Sequence, residues 1–180
     1  LSAAGAAELA RVRLDFDPAS NVIELRSLRV LRKSGAVVSV DAAAGVELPQ
    51  PQHMIYWGPR MWLYAVPRLE PGDALEIQTY MKGFLIAYLD DLAGGAAGAA
   101  PGGSADDKYV PPMRGHFYDV VTFQEDTPVK LRHYEVVTPK DKPVQFEVYN
   151  GEVKSYVSFD DGHLVYRFWK EDLPAYRSEP

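Results

Sequence analysis

Cysteine is absent from all 180 residues. That absence removes disulfides, thiolate nucleophiles and cysteine-ligated zinc together, and leaves the redox compartment open. Long apolar runs are missing too, since no stretch approaches the roughly 18 residues that a membrane-spanning helix needs. Positive charge is in short supply: 19 Lys and Arg against 25 Asp and Glu give a formal net charge of -6. An acidic surface repels phosphate backbones, so nucleic acid is not an expected partner. The nearest basic cluster, Arg26, Arg29, Arg32 and Lys33, interleaves with Leu25, Leu28, Val30 and Leu31 and reads as the solvated face of a strand. Catalytic and ligand spacings are lacking as well. His53, His116, His133 and His163 are scattered without an H-x-x-x-H pair, and no G-x-S-x-G elbow occurs. Asp15, Asp17 and Asn21 lack both the spacing and the terminal Glu of a calcium loop, so turn capping is their simpler reading. No catalytic residue, metal ligand or cofactor is therefore expected.

What is present is an ordinary globular composition, 47% apolar and 24% charged, enough to build a sizeable core at this length. The chain begins at Leu1 rather than Met. Its Ala-rich start has no basic n-region, so it reads as a piece of a longer protein or a processed product, with residues 1–9 a flexible segment. From Leu9 to Phe16, Val12, Leu14 and Phe16 alternate with Arg11, Arg13 and Asp15, the period of a half-buried strand. After turn material at Asp17 to Asn21, Ile23 and Leu25 keep one parity and Leu28 and Val30 the other, which predicts a β-bulge near Ser27. Ser34-Gly35 turns the chain into a strand over Ala36 to Val40. Asp41 to Gln52 drifts to Ala, Gly and Pro and reads as a loop.

Met61 to Val66 reads as a strand, and Leu69-Glu70-Pro71-Gly72-Asp73 has Pro and Gly where a type II turn wants them. Leu75, Ile77 and Thr79 then form the inward face of a strand through Met81, and Phe84 to Leu89 is a candidate partner strand. Residues 93–105 contain only Ala, Gly, Pro and Ser and read as a flexible loop inserted within one domain over 10–180. A strand over His116 to Phe123 leads into the best-marked stretch, Val129 to Trp169. Asn150-Gly151 and Asp160-Asp161-Gly162 are hairpin turn signals there, and with the proline-flanked turn Thr138 to Pro143 they predict a four-stranded meander. The fold class is all-β: a two-sheet antiparallel β-sandwich of meanders and hairpins with little helix.

The densest aromatic patch, Tyr56-Trp57-Gly58-Pro59-Arg60-Met61-Trp62-Leu63-Tyr64, supplies the candidate ligand-binding residues Tyr56, Trp57, Trp62 and Tyr64, because aromatic faces stack on sugars and anchor peptides. Strand alternation places Trp62 and Tyr64 on one side. Core packing explains that side without any ligand.

Several pieces stand in an order that resembles a known family. They are the hairpin Leu28-Arg29-Val30 to Ser34-Gly35, the turn Leu69 to Asp73, Phe123 with Pro128-Val129, Val137-Thr138-Pro139, and Tyr166-Arg167-Phe168-Trp169 followed by Leu173-Pro174-Ala175 and Glu179. The sequence resembles, over about Ala10 to Pro180, the domain of unknown function that precedes transglutaminase-like, papain-type domains in bacterial envelope-associated proteins. Two departures stand out: Ser34 occupies a position where an acidic turn residue is typical, and the segment from Ala93 has the character of an insertion. The resemblance implies a β-sandwich accessory module without catalytic residues of its own, a periplasmic or cell-envelope location, and a transglutaminase-like domain of the same polypeptide as partner. Binding of a peptide or a glycan through the aromatic patch is the alternative.

Overall fold

The computed structural model describes residues 2–50, 58–83 and 117–176. The candidate strand Phe84 to Leu89, the segment 93–105 and the residues Tyr56, Trp57, His53 and His116 lie outside the described residues. The chain divides into two compact units, Leu1–Arg114 and Gly115–Pro180, each with its own internal contacts. The all-β class holds. The described strands form three three-stranded antiparallel sheets rather than two, because the sheet of the second unit makes no ladder with either sheet of the first.

In the first unit, residues expected as a flexible segment instead carry a short helix, α1 (Ala3–Glu8), whose N-cap Ser2 accepts a hydrogen bond from the Gly5 amide at 3.1 Å. Alanine favours helix, and a hydroxyl at the N-cap satisfies one of the free amides of the first turn. An unbroken Ala run shows no apolar period, so the sequence pattern conceals the helix. Ala6 is buried in a cluster with Val30 and Leu69.

β1 (Arg11–Phe16) pairs antiparallel with β5 (Arg60–Ala65), and β4 (Val46–Pro49) takes the other side of β5. The second sheet sets β2 (Asn21–Leu31) between β3 (Val37–Ser39) and β6 (Ala74–Gly83). Its register shifts between Leu25 and Ser27, which is the predicted bulge. The shift lets Leu25 and Leu28 both turn inward, where they join Val12 and Tyr64 of the first sheet in one core cluster. One expectation needs correction. The loop over Asp41 to Gln52 contains a 3-10 turn, Ala42–Ala44, and β4; four residues with one proline are too short to show a period, and their pairing partner lies across the fold. Ile77 shares the inward face, opposite Leu28, but remains 43% exposed, because among the described residues β6 is the edge strand of that sheet.

The turn before β6 is as predicted, with Gly72 at φ 96°. Asp73 at its end is 4% exposed and locks this turn to the end of β2. Its carboxylate accepts hydrogen bonds from the Glu70 amide (2.9 Å), the Lys33 amide (3.2 Å) and Arg32 Nη1 (2.7 Å). The Glu70 amide, ahead of the Arg32 guanidinium, holds the carboxyl below the ordinary aspartate range. A depressed folded value means that this carboxylate stabilises the fold above the unfolded value of about 3.9 and ceases to do so as pH falls through the folded value. Asp73→Asn is accordingly expected to lower the urea midpoint at neutral pH and to converge on the parent in acid below that range. A difference that persisted undiminished in acid would contradict the assignment.

The second unit is built on one sheet in the order β7-β9-β8, from β7 (Val129–Pro139), β8 (Lys154–Asp160) and β9 (His163–Leu173). Asp161 and Gly162, at φ 41° and 77°, make the two-residue turn between β8 and β9. Positive φ at both positions is the signature of a type I′ turn, whose twist matches that of the flanking strands. The expected fourth strand, after Pro143, forms no ladder. With β9 occupying the place beside β7, the connection from β7 to β8 must cross the sheet, and its residues pack on the sheet face instead of extending an edge. The Val144 amide donates to the Tyr166 hydroxyl at 3.0 Å, and the Phe146 ring meets Phe168 edge-on at 4.7 Å. Asn150-Gly151 still turns the chain, with φ of 58° and 146°, but it joins this crossover to β8.

Phe117 to Phe123 likewise carries no ladder, contrary to the strand expected there. Phe123 packs against the core of Val136, Tyr166 and Phe168. Arg132 Nη2 holds the segment through the Thr122 carbonyl at 3.0 Å.

Candidate functional site

An open cleft of about 840 Å³ lies in the first unit. Trp62 and Tyr64, successive residues of one face of β5, form part of its wall. Their ladder partners explain the placement: Leu14 and Val12 of β1 stand opposite Trp62 and Tyr64, so all four side chains turn towards the core. Tyr64 is buried and Trp62 half-buried against the same cluster, so packing accounts for much of both rings. Burial also pushes the Tyr64 phenol above its ordinary range, leaving it a proton donor at neutral pH.

The 3-10 turn and its C-cap also line the cleft, through Ala42, Ala43 and Gly45. The Asp41 carboxylate caps this turn by accepting from the Ala43 amide at 2.9 Å. Gly45 is required by close approach, since a Cβ there would lie 2.5 Å from Tyr64 Cε1. The rim is charged: Arg60 pairs with Glu47 across the β4–β5 ladder, and Glu24 lies beside Phe16, Val22 and Ile23. Glu24 is held by Arg26 at 2.9 Å, and the Arg26 guanidinium in turn sits 4.8 Å from the Tyr80 ring centre.

Of the four aromatic residues singled out in the sequence, the structure brings together Trp62 and Tyr64; Tyr56 and Trp57 lie outside the described residues. Phe16, Gly45, Glu47 and Arg60 are cleft residues that sequence reasoning missed. No local signal marks them, because the cleft depends on β4 pairing with β5.

Other polar groups make local contacts. Asp17 and Asn21 cap the β1–β2 turn: Asp17 Oδ1 accepts from the Ala19 amide at 2.9 Å, and Asn21 Oδ1 from the Asp17 amide at 3.1 Å. Asp15 pairs with Arg13 at 2.6 Å. His163 Nδ1 lies 2.8 Å from the Asp161 carbonyl in an exposed turn. Tyr134 is pushed above its usual range by burial and by its hydrogen bond to the Asp119 carboxylate at 2.7 Å. Among the described residues no group of three His, Cys, Asp or Glu side chains is placed to hold a metal ion. The cleft is lined by Trp62, by apolar side chains such as Phe16 and Ile23, and by the Arg60–Glu47 pair.

The described residues define an all-β protein with an open cleft in its first unit. Within that class the chain belongs to the family Domain of Unknown Function with solved structure (DUF3857), which it matches over residues 1–177. Among solved structures it is similar to a protein from Parabacteroides distasonis described as a "putative protease", at 16% identity and a TM-score of 0.68. That match covers 99% of this chain and 31% of the other, so the chain spans about a third of that protein's length. No curated protein matches the chain.

Proposed function

We propose that this chain is a non-catalytic accessory module that packs beside, or positions substrate for, a transglutaminase-like catalytic domain of the same polypeptide, in a bacterial cell envelope. The observation that carries the reading is one of proportion. Nearly all of the chain aligns with 31% of the Parabacteroides distasonis protein, which leaves most of that protein for other domains. The chemistry agrees: a papain-type site needs a cysteine thiolate activated by histidine, and this chain contains no cysteine. Its part is then mechanical and recognitive, with the Trp62–Tyr64 cleft as the surface on which an extended peptide would rest.

The purified chain is expected to show no turnover above background when assayed for peptide hydrolysis and for amine transfer to glutamine side chains. Turnover that co-purifies with the folded chain and is lost on its unfolding would overturn the proposal.

A further inference from the structure

The β8 edge of the second unit is an open strand edge of unusual composition. Among the described residues β8 pairs only with β9, through a continuous register from Lys154↔Trp169 to Asp160↔His163 without a bulge. The two residues flanking a two-residue hairpin turn exchange hydrogen bonds with each other. Asp160, Ser158, Tyr156 and Lys154 therefore direct their backbone groups to β9, and Phe159, Val157 and Ser155 direct theirs away from the sheet. Among the described residues nothing accepts or donates there.

Natural sheets blunt such edges with proline, an internal lysine, a bulge or a covering loop. Ser155-Tyr156-Val157-Ser158-Phe159 has none of these. Tyr156 is 59%, Val157 44% and Phe159 63% exposed. Charge stands only at the two ends, Lys154 and Asp160, and the signs are opposite; Lys154 also meets Glu171 of β9 at 3.0 Å in an exposed pair, which leaves its ammonium open to a second carboxylate.

That charge arrangement selects an occupant. We infer that β8 pairs with β8 of a second copy of this chain, antiparallel about a two-fold axis through Val157. In this register Val157 faces its own counterpart, Ser155 faces Phe159 of the second copy, and Tyr156 faces Ser158. Lys154 faces Asp160 at both ends. The outward backbone groups of Ser155, Val157 and Phe159 then meet the same groups of the second copy, giving about six hydrogen bonds and a continuous six-stranded sheet. A slip of two residues in either direction keeps the hydrogen-bond phase but separates both Lys–Asp pairs, so the charges distinguish the register. The contact is small, and the association is a weak, concentration-dependent one.

Sedimentation velocity on the whole chain tests this. The parent is expected to move from the mass of one chain towards that of two as concentration rises. Val157→Pro removes an outward amide that bonds nothing within the chain, so it is expected to abolish association while leaving the thermal midpoint close to the parent's. Lys154→Glu or Asp160→Lys alone creates two like-charge pairs and should weaken the dimer about tenfold, and the double exchange should restore it.

Because the chain has no cysteine, Val157→Cys introduces a single thiol. At a hydrogen-bonded pair its Cα would lie about 5.5 Å from its counterpart, within disulfide reach. It should oxidise to a linked dimer far faster than Tyr156→Cys, whose counterpart is diagonal at about 7–8 Å. A parent monomeric at every concentration, a Val157→Pro variant that still associates, single charge variants of unchanged affinity, or equal oxidation of the two cysteine variants would overturn the inference. An edge reserved for a different partner corresponds to the first of these outcomes, a parent that stays monomeric.

Discussion

Gly83→Ala is expected to cost about 3 kcal/mol, a large loss for one methyl group. Gly83 closes the β2–β6 ladder opposite Asn21 and sits at φ 135°, a conformation that residues with a Cβ rarely adopt. An added Cβ would stand 2.3 Å from the Ser20 carbonyl oxygen and 2.6 Å from Asn21 Cα. Both are backbone atoms, and neither can retreat freely. Ser20 and Asn21 are buried, their side chains joined at 3.0 Å, and both amides bond to the Asp17 carbonyl. Relief therefore requires the β1–β2 turn to move as a block. Gly35→Ala is the matched comparison: φ is 87° there, but a Cβ would meet nothing within 4 Å, so only backbone strain of about 1 kcal/mol applies. Urea unfolding of the two variants checks the difference. Equal losses would show that crowding at Gly83 is not the cause.

The second large effect lies at the centre of the same ladder. Leu28 is 1% exposed and packs against Val12, Leu25 and Tyr64, so Leu28→Ala should cost about 3 kcal/mol through lost transfer energy and the cavity left behind. Ile77, its partner across the ladder, is 43% exposed, and Ile77→Ala should cost less than about 1 kcal/mol. The pair shares a ladder position and differs in burial, so the ratio of the two losses, measured by equilibrium unfolding, reads burial directly. Comparable losses would place β6 inside the core rather than at its edge.

These positions also show what the sequence makes legible. Features set by neighbouring residues are readable. The bulge at Leu25 to Ser27 announces itself as a change of parity, and Asp161-Gly162 and Pro71-Gly72 announce their turns through the φ each needs. Features set by distant partners are not. β4 looks like loop because its four residues gain meaning only beside β5. Val144 to Tyr149 alternates like a strand, yet the place beside β7 is taken by β9 and the segment lies across the sheet face. α1 is hidden for another reason, since a helix made of alanine needs no apolar stripe when a single residue, Ala6, makes its buried contact.

The candidate site divides along the same line. That Trp62 and Tyr64 share a face follows from strand alternation, and the structure agrees. That a capped 3-10 turn also lines the cleft, brought onto the Tyr64 ring by the missing side chain of Gly45, depends on a tertiary approach that no local pattern encodes.

The central claim is that this chain serves a catalytic domain and contributes no reaction of its own. The most direct measurement is kcat/KM for peptide substrates of a polypeptide joining this chain to a transglutaminase-like domain, as proposed, compared with the catalytic domain alone and with this chain alone. The account predicts turnover by the joined protein, a lower kcat/KM for the catalytic domain by itself, and none for this chain. A catalytic domain equally efficient without this chain, or turnover by this chain alone, would contradict it.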